Sequence, residues 1–162
     1  MFIKNLVLEN CRIVFRNFSG KPSQYNPQGK RTFAVILSKE DADRLAEEGW
    51  NVKSLRPQEE GDEPTPYLPV TVKFKEDESK SPKIYSVVRK KKTLLTEQTV
   101  GMLDFAEIQN VDLIISPYKW DMNGRQGISA YLKTMYATII EEDFGGKYDF
   151  EEDDTDEENI PW

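Results

Sequence analysis

Arginine, lysine and aromatic residues recur at alternate positions along several segments of this chain, and its chemistry has to be built from them. There is no histidine and only one cysteine, Cys11. That removes the usual neutral-pH general base, an internal disulfide and a cysteine-based zinc cage. Paired carboxylates occur at Glu59/Glu60 and Asp62/Glu63, in a Pro-rich stretch with no rigid frame to tune them for acid–base work. The run Gly29-Lys30-Arg31-Thr32 ends like a phosphate-binding loop. However, Gly20 lies too far upstream to open that motif and Arg31 occupies its Ser/Thr place. The acidic run 153–159 offers spaced oxygens to calcium but lacks the central Gly and closing Glu of an EF-hand loop. No cofactor, no metal and no enzymatic activity are expected.

The cations and rings do better. In an extended chain alternate side chains share a face. This puts Arg12, Arg16 and Phe18 on one side of the first apolar segment, and Ile13 and Phe15 on the other. Lys21, Tyr25 and Lys30 follow in a loop, with Arg31 opening the next strand. Tyr85, Arg89 and Lys91 share a face, and Arg89-Lys90-Lys91-Lys92 is the densest basic cluster in the chain. Tyr118 and Trp120 flank Lys119, with Arg125 in the turn that follows, and Tyr131 and Lys133 stand opposite Ile128, Ala130 and Leu132. Taken singly, a basic cluster is ordinarily a solvated edge, because lysine there also blocks aggregation, and a ring is ordinarily core. Recurrence on separate strands favours a binder of single-stranded nucleic acid. Cations take the phosphates, and each ring can stack an unpaired base of any identity for roughly 1–3 kcal/mol.

The elements that must position these groups are mostly strands. Residues 2–18 read as one long strand, bulged near Asn10, and the Gly/Pro/Ser/Asn-rich stretch 19–30 as a loop before a second strand at 31–38. Ser38 followed by Asp41 opens a capping pattern for a helix over 39–48, with Ala42 and Leu45 on its buried side and Gly49 after it. A short strand is expected at 52–55, a solvated loop at 56–66, and a strand at 67–75 in which Pro69 suggests an edge or a start. Further strands are expected at 83–90, 111–120 and 127–140. Asn123-Gly124 signals a hairpin, with a loop longer than two residues, while 93–110 reads as a short helix or irregular loop. Five or more strands with one interrupting helix predict an all-β domain, specifically an OB-fold-like five-stranded Greek-key barrel. Cys11 lies in an apolar segment and reads as a small core residue.

Charge is split along the chain. Of 29 acids and 22 bases, residues 141–162 hold 11 acids and one base, for −10, leaving 18 acids against 21 bases, or +3, in residues 1–140. A basic body with an acidic end points to a polyanionic ligand. The organisation expected is a binding domain over 1–146 and a disordered acidic tail over 147–162. That tail closes in Ile160-Pro161-Trp162 behind Asp156, Glu157 and Glu158, an apolar tip that acids can steer into a partner's basic groove. No stretch approaches the ~20 apolar residues of a membrane helix and no signal-peptide layout opens the chain, so a cytoplasmic protein without membrane partners is expected.

The ending "DEENIPW" resembles that of bacterial and phage single-stranded DNA-binding proteins, in which an OB-fold precedes an acidic tail often closing in Asp-Asp-x-Ile-Pro-Phe. Trp162 stands here in place of the terminal Phe. The segments "RIVFRNFSGKPSQYNPQGKRTFAVIL" and "ISPYKW…GISAYLKTMYATI" are similar to the shorter phage-encoded members rather than the bacterial tetrameric type. The resemblance implies a protein of the host cytoplasm that coats and protects single-stranded DNA without sequence preference during phage replication and recombination. It also implies a tail that recruits replication and recombination proteins and can compete with DNA for the basic groove. Oligomeric state is left open. The rival reading is an interaction protein whose acidic tail mimics DNA and blocks a host nuclease or restriction enzyme.

Overall fold

The computed structural model describes residues 4–56 and 61–140. The β-branched and aromatic residues at the start form β1 (Leu6–Cys11) and β2 (Ile13–Asn17). They are one strand bent at Arg12, whose carbonyl accepts from the amide of Ile36 at 2.9 Å. After the loop come β3 (Arg31–Ile36), helix α1 (Lys39–Glu48), β4 (Lys53–Leu55) and β5 (Thr65–Val72). A hairpin of β6 (Lys83–Val88) and β7 (Lys91–Leu95) follows, then a 3-10 turn over Val100–Asp104, and finally β8 (Ile108–Met122) and β9 (Arg125–Ile139).

Pairing closes these strands into a barrel. β1 runs antiparallel to β8, with Leu6 opposite Ile115 and Leu8 opposite Leu113. β8 pairs with β9, which meets β5 in parallel with Val70 opposite Ala130. β5 pairs with β3 and β3 with β2. Because β1 and β2 are halves of one strand, the circuit returns to its origin, leaving five barrel strands in the OB order, with the third and fifth parallel. The inward positions of all five fill the interior: Phe18, Phe33, Leu68, Leu113, Ile115 and Met135 are fully or almost fully buried. Phe18 lies on Phe33 with centroids 5.1 Å apart.

The helix is where the sequence puts it. Ser38 Oγ accepts from the Asp41 amide, Ala42 and Leu45 are buried, and Gly49 ends the helix in the left-handed region at φ 105°, which glycine adopts without a Cβ clash. It joins the second and third barrel strands, and the β6–β7 hairpin occupies the connection between the third and fourth.

Three expectations are corrected. β5 is interior rather than an edge: Pro69 faces Ala34 of β3, and on its other flank β4 pairing ends at Tyr67 and β9 pairing begins at Val70. Proline, lacking a donor, sits where that flank changes partner. The ambiguous stretch contains a strand, since 91–95 pairs with β6 through a two-residue turn at Arg89-Lys90. The second hairpin is also tighter than expected, because Met122 pairs with Arg125 and only Asn123 and Gly124 lie between. Their φ values of 53° and 78° are those of a type I′ turn. No helix among the described residues is long and apolar enough to cross a membrane.

Candidate nucleic-acid interface

The first strand places its side chains differently from simple alternation. The β1–β8 register shifts between Leu8 and Cys11, with Asn10 at φ 55°, which is the bulge expected there. A second shift falls between Val14 and Asn17, with Phe15 at φ 54°. This second bulge inverts the phase of the strand. Phe15 becomes exposed and meets Tyr67 edge-on at 5.6 Å, whereas Phe18 becomes fully buried core. Phe18 therefore has no free face for a base, which corrects its assignment to the binding surface.

The arginines of this corner are also occupied. Arg16 Nη1 donates to the carbonyls of Leu103 and Ala106 at 2.8 and 2.7 Å. Arg31 donates to the Phe18 carbonyl at 2.6 Å, lies over the Phe74 ring at 5.3 Å and pairs with Glu97 at 3.5 Å. The Asp104 carboxylate completes the corner by accepting from the amides of Phe18 and Ser19. Arg16 and Arg31 thus tie the 3-10 turn and the loop to the barrel. Arg12 is exposed at the bend and lines a small cavity of about 80 Å³ with Arg16, Gln109 and Asn110. The loop holding Lys21, Tyr25 and Lys30 is pinched at its base by Asn26, whose amide nitrogen donates to the Lys21 and Lys30 carbonyls. Tyr25 projects from it, 89% exposed.

Beyond this corner the outer face becomes a cation-lined cleft. Asn17, Thr32, Thr71, Tyr131 and Ser116 are successive cross-strand partners, so a polar band crosses the sheet and runs into it. The cleft, of about 590 Å³, is lined by Tyr118, Tyr131 and five lysines: Lys73, Lys75, Lys80, Lys83 and Lys133. No acid is among its lining residues. Tyr118 and Tyr131 meet edge-on at 5.8 Å and 69°, and Tyr118 is 59% exposed. Among the described residues the ion pairs within 4 Å are Arg31–Glu97 and Arg44–Asp41, so none of the five lysines is in a direct ion pair with a described acid, although Lys83 donates to the Glu78 carbonyl at 3.3 Å and its charge acts on Asp77. The turn carrying Ser79 and Lys80 is held by Asp77, whose carboxylate accepts from the Ser79 hydroxyl and amide at 2.7 and 3.0 Å. Those two bonds, hydroxyl first, draw its pKa below the ordinary aspartate value.

Lys133 owes its position to another bulge. Ile114 faces Thr134 and Ile115 faces Leu132, so Lys133 is the extra residue of β9. Inward residues are 128, 130 and 132 before it and 135 and 137 after it. Tyr131 and Tyr136, of opposite parity, consequently both face outward. Tyr136 is the register partner of Tyr85 on β6; the rings stack at 5.0 Å and 8°, with Lys92 Nζ 5.6 and 5.5 Å from the two centroids.

The structure therefore brings Tyr118, Tyr131 and Lys133 into one cleft, and Tyr85 and Lys92 into one cluster. Arg89 and Lys90 lie in the turn between β6 and β7 rather than on a shared strand face, and Lys91 starts β7. Trp120 lies on its β9 partner Gly127, where an added Cβ would meet the indole at 2.7 Å. Arg125 is exposed at the hairpin end. Lys119 lines a different groove, of about 710 Å³, with Lys4, Arg44, Trp50 and Ile128. Sequence reasoning missed Lys73, Lys75, Lys80, Lys83 and Tyr136. The alternation in "VKFK" and "KIY" carried a signal for Lys73, Lys75 and Lys83. The tail residues Asp156, Glu157, Glu158, Ile160, Pro161 and Trp162 lie outside the described residues. Among the described residues no group of three or more His, Cys, Asp or Glu side chains is placed to hold a metal ion.

A family model for a phage ssDNA-binding domain matches residues 1–160. The chain belongs to that family. Its fold is shared with the single-stranded DNA-binding protein of bacteriophage Enc34. The C-terminally truncated form aligns at TM-score 0.54 and 13% identity over 85% of this chain and 87% of that one. The form in complex with ssDNA aligns at TM-score 0.51 and 12% identity over 85% and 88%. No curated protein matches the chain. As a member of this family with an OB-like barrel, the chain fulfils the fold class expected from its alternating segments.

Proposed function

We propose that the protein binds single-stranded DNA largely without sequence preference, holding it in the lysine cleft with bases against Tyr118 and Tyr131. The carrying observation is the cleft itself: five lysines and no acid line it around two tyrosines, on the outer face of an OB barrel. Lysines there provide charge without a base-reading fork, and rings stack any base. Family membership and the fold shared with a phage protein solved with ssDNA support the same reading. The protein is a non-enzymatic coat for exposed strands during phage DNA replication and recombination in the host cytoplasm. The tip Ile160-Pro161-Trp162 recruits partner proteins, with Asp156, Glu157 and Glu158 steering it.

The test is a titration of the full-length protein on oligo-dT and on duplex of equal length at several salt concentrations. Tighter binding to oligo-dT, weakening as salt rises, is expected. Equal affinity for both, or none for either, sinks the reading. Replacing Trp162 with alanine should abolish capture of replication proteins while leaving oligo-dT affinity unchanged; retained capture refutes the role of the tip.

A further inference from the structure

We infer that the bound strand does not end at the lysine cleft but crosses a second stacking platform, made by Tyr85, Tyr136 and Lys92, and reaches the Arg89-Lys90 turn. One barrel then holds a longer strand than its cleft alone. The inference rests on the reading that the cleft binds single-stranded DNA.

The two places are parts of one face. Thr134 and Lys83 are partners across β9 and β6, and both line the cleft. The next outward pair along the same two strands is Tyr136 with Tyr85, so a strand leaving the cleft along β6 meets the stacked rings directly. Tyr131 and Tyr136 are five residues apart on β9, roughly 15 Å of strand. Beside the rings, Leu94 of β7 faces Tyr85 and is half-exposed. Lys92 sits within cation–π reach of both tyrosines, placing a positive charge beside flat surfaces, the combination that grips a nucleotide.

Charge sets the direction. On the β8 side Tyr136 is flanked by Asp112, exposed and accepting from the Asn10 amide at 2.8 Å. A carboxylate there repels phosphate, so the path turns toward β6 and β7. At their junction Arg89 and Lys90 have φ values of 50° and 69°, a left-handed conformation that costs any residue with a Cβ. Two-residue turns of this type favour Asn-Gly, and the chain uses Asn123-Gly124 in its other hairpin at φ 53° and 78°. Placing two long cations where the backbone favours Asn-Gly retains strain, which marks a position kept for its charge.

That strain provides the test. In the full-length protein, Arg89→Asn with Lys90→Gly removes both charges and installs the residues this turn favours; a cooperative melt recorded alongside shows that the variant is folded. Oligo-dT of about 4 and about 16 nucleotides, the ends of the range for OB folds, separates the cleft from the full path. The expected result is unchanged affinity for the short oligonucleotide and roughly tenfold weaker binding of the long one. The salt slope on the long one should be lower by about 1.4, two phosphates at about 0.7 each. Lys92→Gln should lower that slope by about 0.7. An iododeoxyuridine-substituted long strand should photo-crosslink to Tyr85 or Tyr136 as well as in the cleft. Wild-type affinity and slope in both variants, or crosslinks confined to Tyr118 and Tyr131, overturn the second platform and leave the cleft standing. A wild-type protein that binds neither oligonucleotide overturns both.

Discussion

The corner formed by β2, β3 and the 3-10 turn and the cleft lined from β5, β6, β8 and β9 are both built of cations and aromatic rings, used in opposite ways. In the corner, the Arg16 and Arg31 guanidinium groups face backbone carbonyls, and Phe18 stacks on Phe33 in the core. In the cleft, lysines surround two tyrosines, no acid lines the walls, and none of the lysines is within ion-pair distance of a described acid. The difference follows from side-chain chemistry. A guanidinium is a planar fork that can satisfy two carbonyls at once, whereas an ammonium on a flexible stem is a strongly hydrated point charge. Arg16 and Arg31 are structural fasteners, whereas the cleft lysines are the proposed contacts for phosphate. A basic or aromatic residue on a strand does not declare which role it has until its hydrogen-bond partners are known.

That contrast breaks if corner substitutions weaken DNA binding at unchanged stability, or cleft substitutions unfold the protein. The largest effect is expected from Phe18→Ala, which should lower stability by about 3–5 kcal/mol through the cavity left beside Phe33, measured by urea unfolding. Arg16→Ala strands the carbonyls of Leu103 and Ala106 and should cost about 2 kcal/mol; the folded fraction should still bind oligo-dT with wild-type affinity. Tyr118→Ala should show the reverse pattern, weakening oligo-dT binding by roughly 1–3 kcal/mol. Its stability should change by less than about 1 kcal/mol, the worth of one edge-on ring contact. Lys133→Gln should lower the salt slope of binding by about 0.7 and leave the melting temperature in place.

The smallest effect concerns pH. Asp77 has a folded pKa below its unfolded value, so its bonds to Ser79 contribute above the unfolded pKa and are lost as pH falls through the folded one. An NMR titration should show the Ser79 amide shifting at a pH below the ordinary aspartate range. A shift within that range would contradict the cap on the cleft's turn.

Much of the barrel was legible because inward positions repeat with period two, and the helix because Ser38, Asp41 and Gly49 bracket it. What alternation could not show is where it slips. The bulges at Phe15 and Lys133 each insert one residue, and each reverses every later prediction of facing. Simple alternation therefore turns Phe18 outward although it is core, and Tyr136 inward although it faces outward beside Tyr85. Arginine partners were hidden for a second reason. Leu103 and Ala106 lie 87 and 90 residues from Arg16, a separation that no local pattern encodes. The turn at Arg89-Lys90 carries no sequence signal, because Arg-Lys is not the Asn-Gly type of pair that marks a two-residue turn with positive φ.

The closure of the barrel by a single bent strand also dictates a timetable. Residues 6–8 find their partners only at 113–115, and β8 in turn rests on β9, which ends at residue 139. On a ribosome adding about 5–20 residues each second, the first apolar strand therefore waits for several seconds, outside any barrel, until nearly the whole domain has been made. Loop closure over such a span is slow relative to local hairpin formation. Local pairs such as β2–β3, β6–β7 and β8–β9 have short loops to close, whereas the β1–β8 seam spans about a hundred residues and is expected to close last.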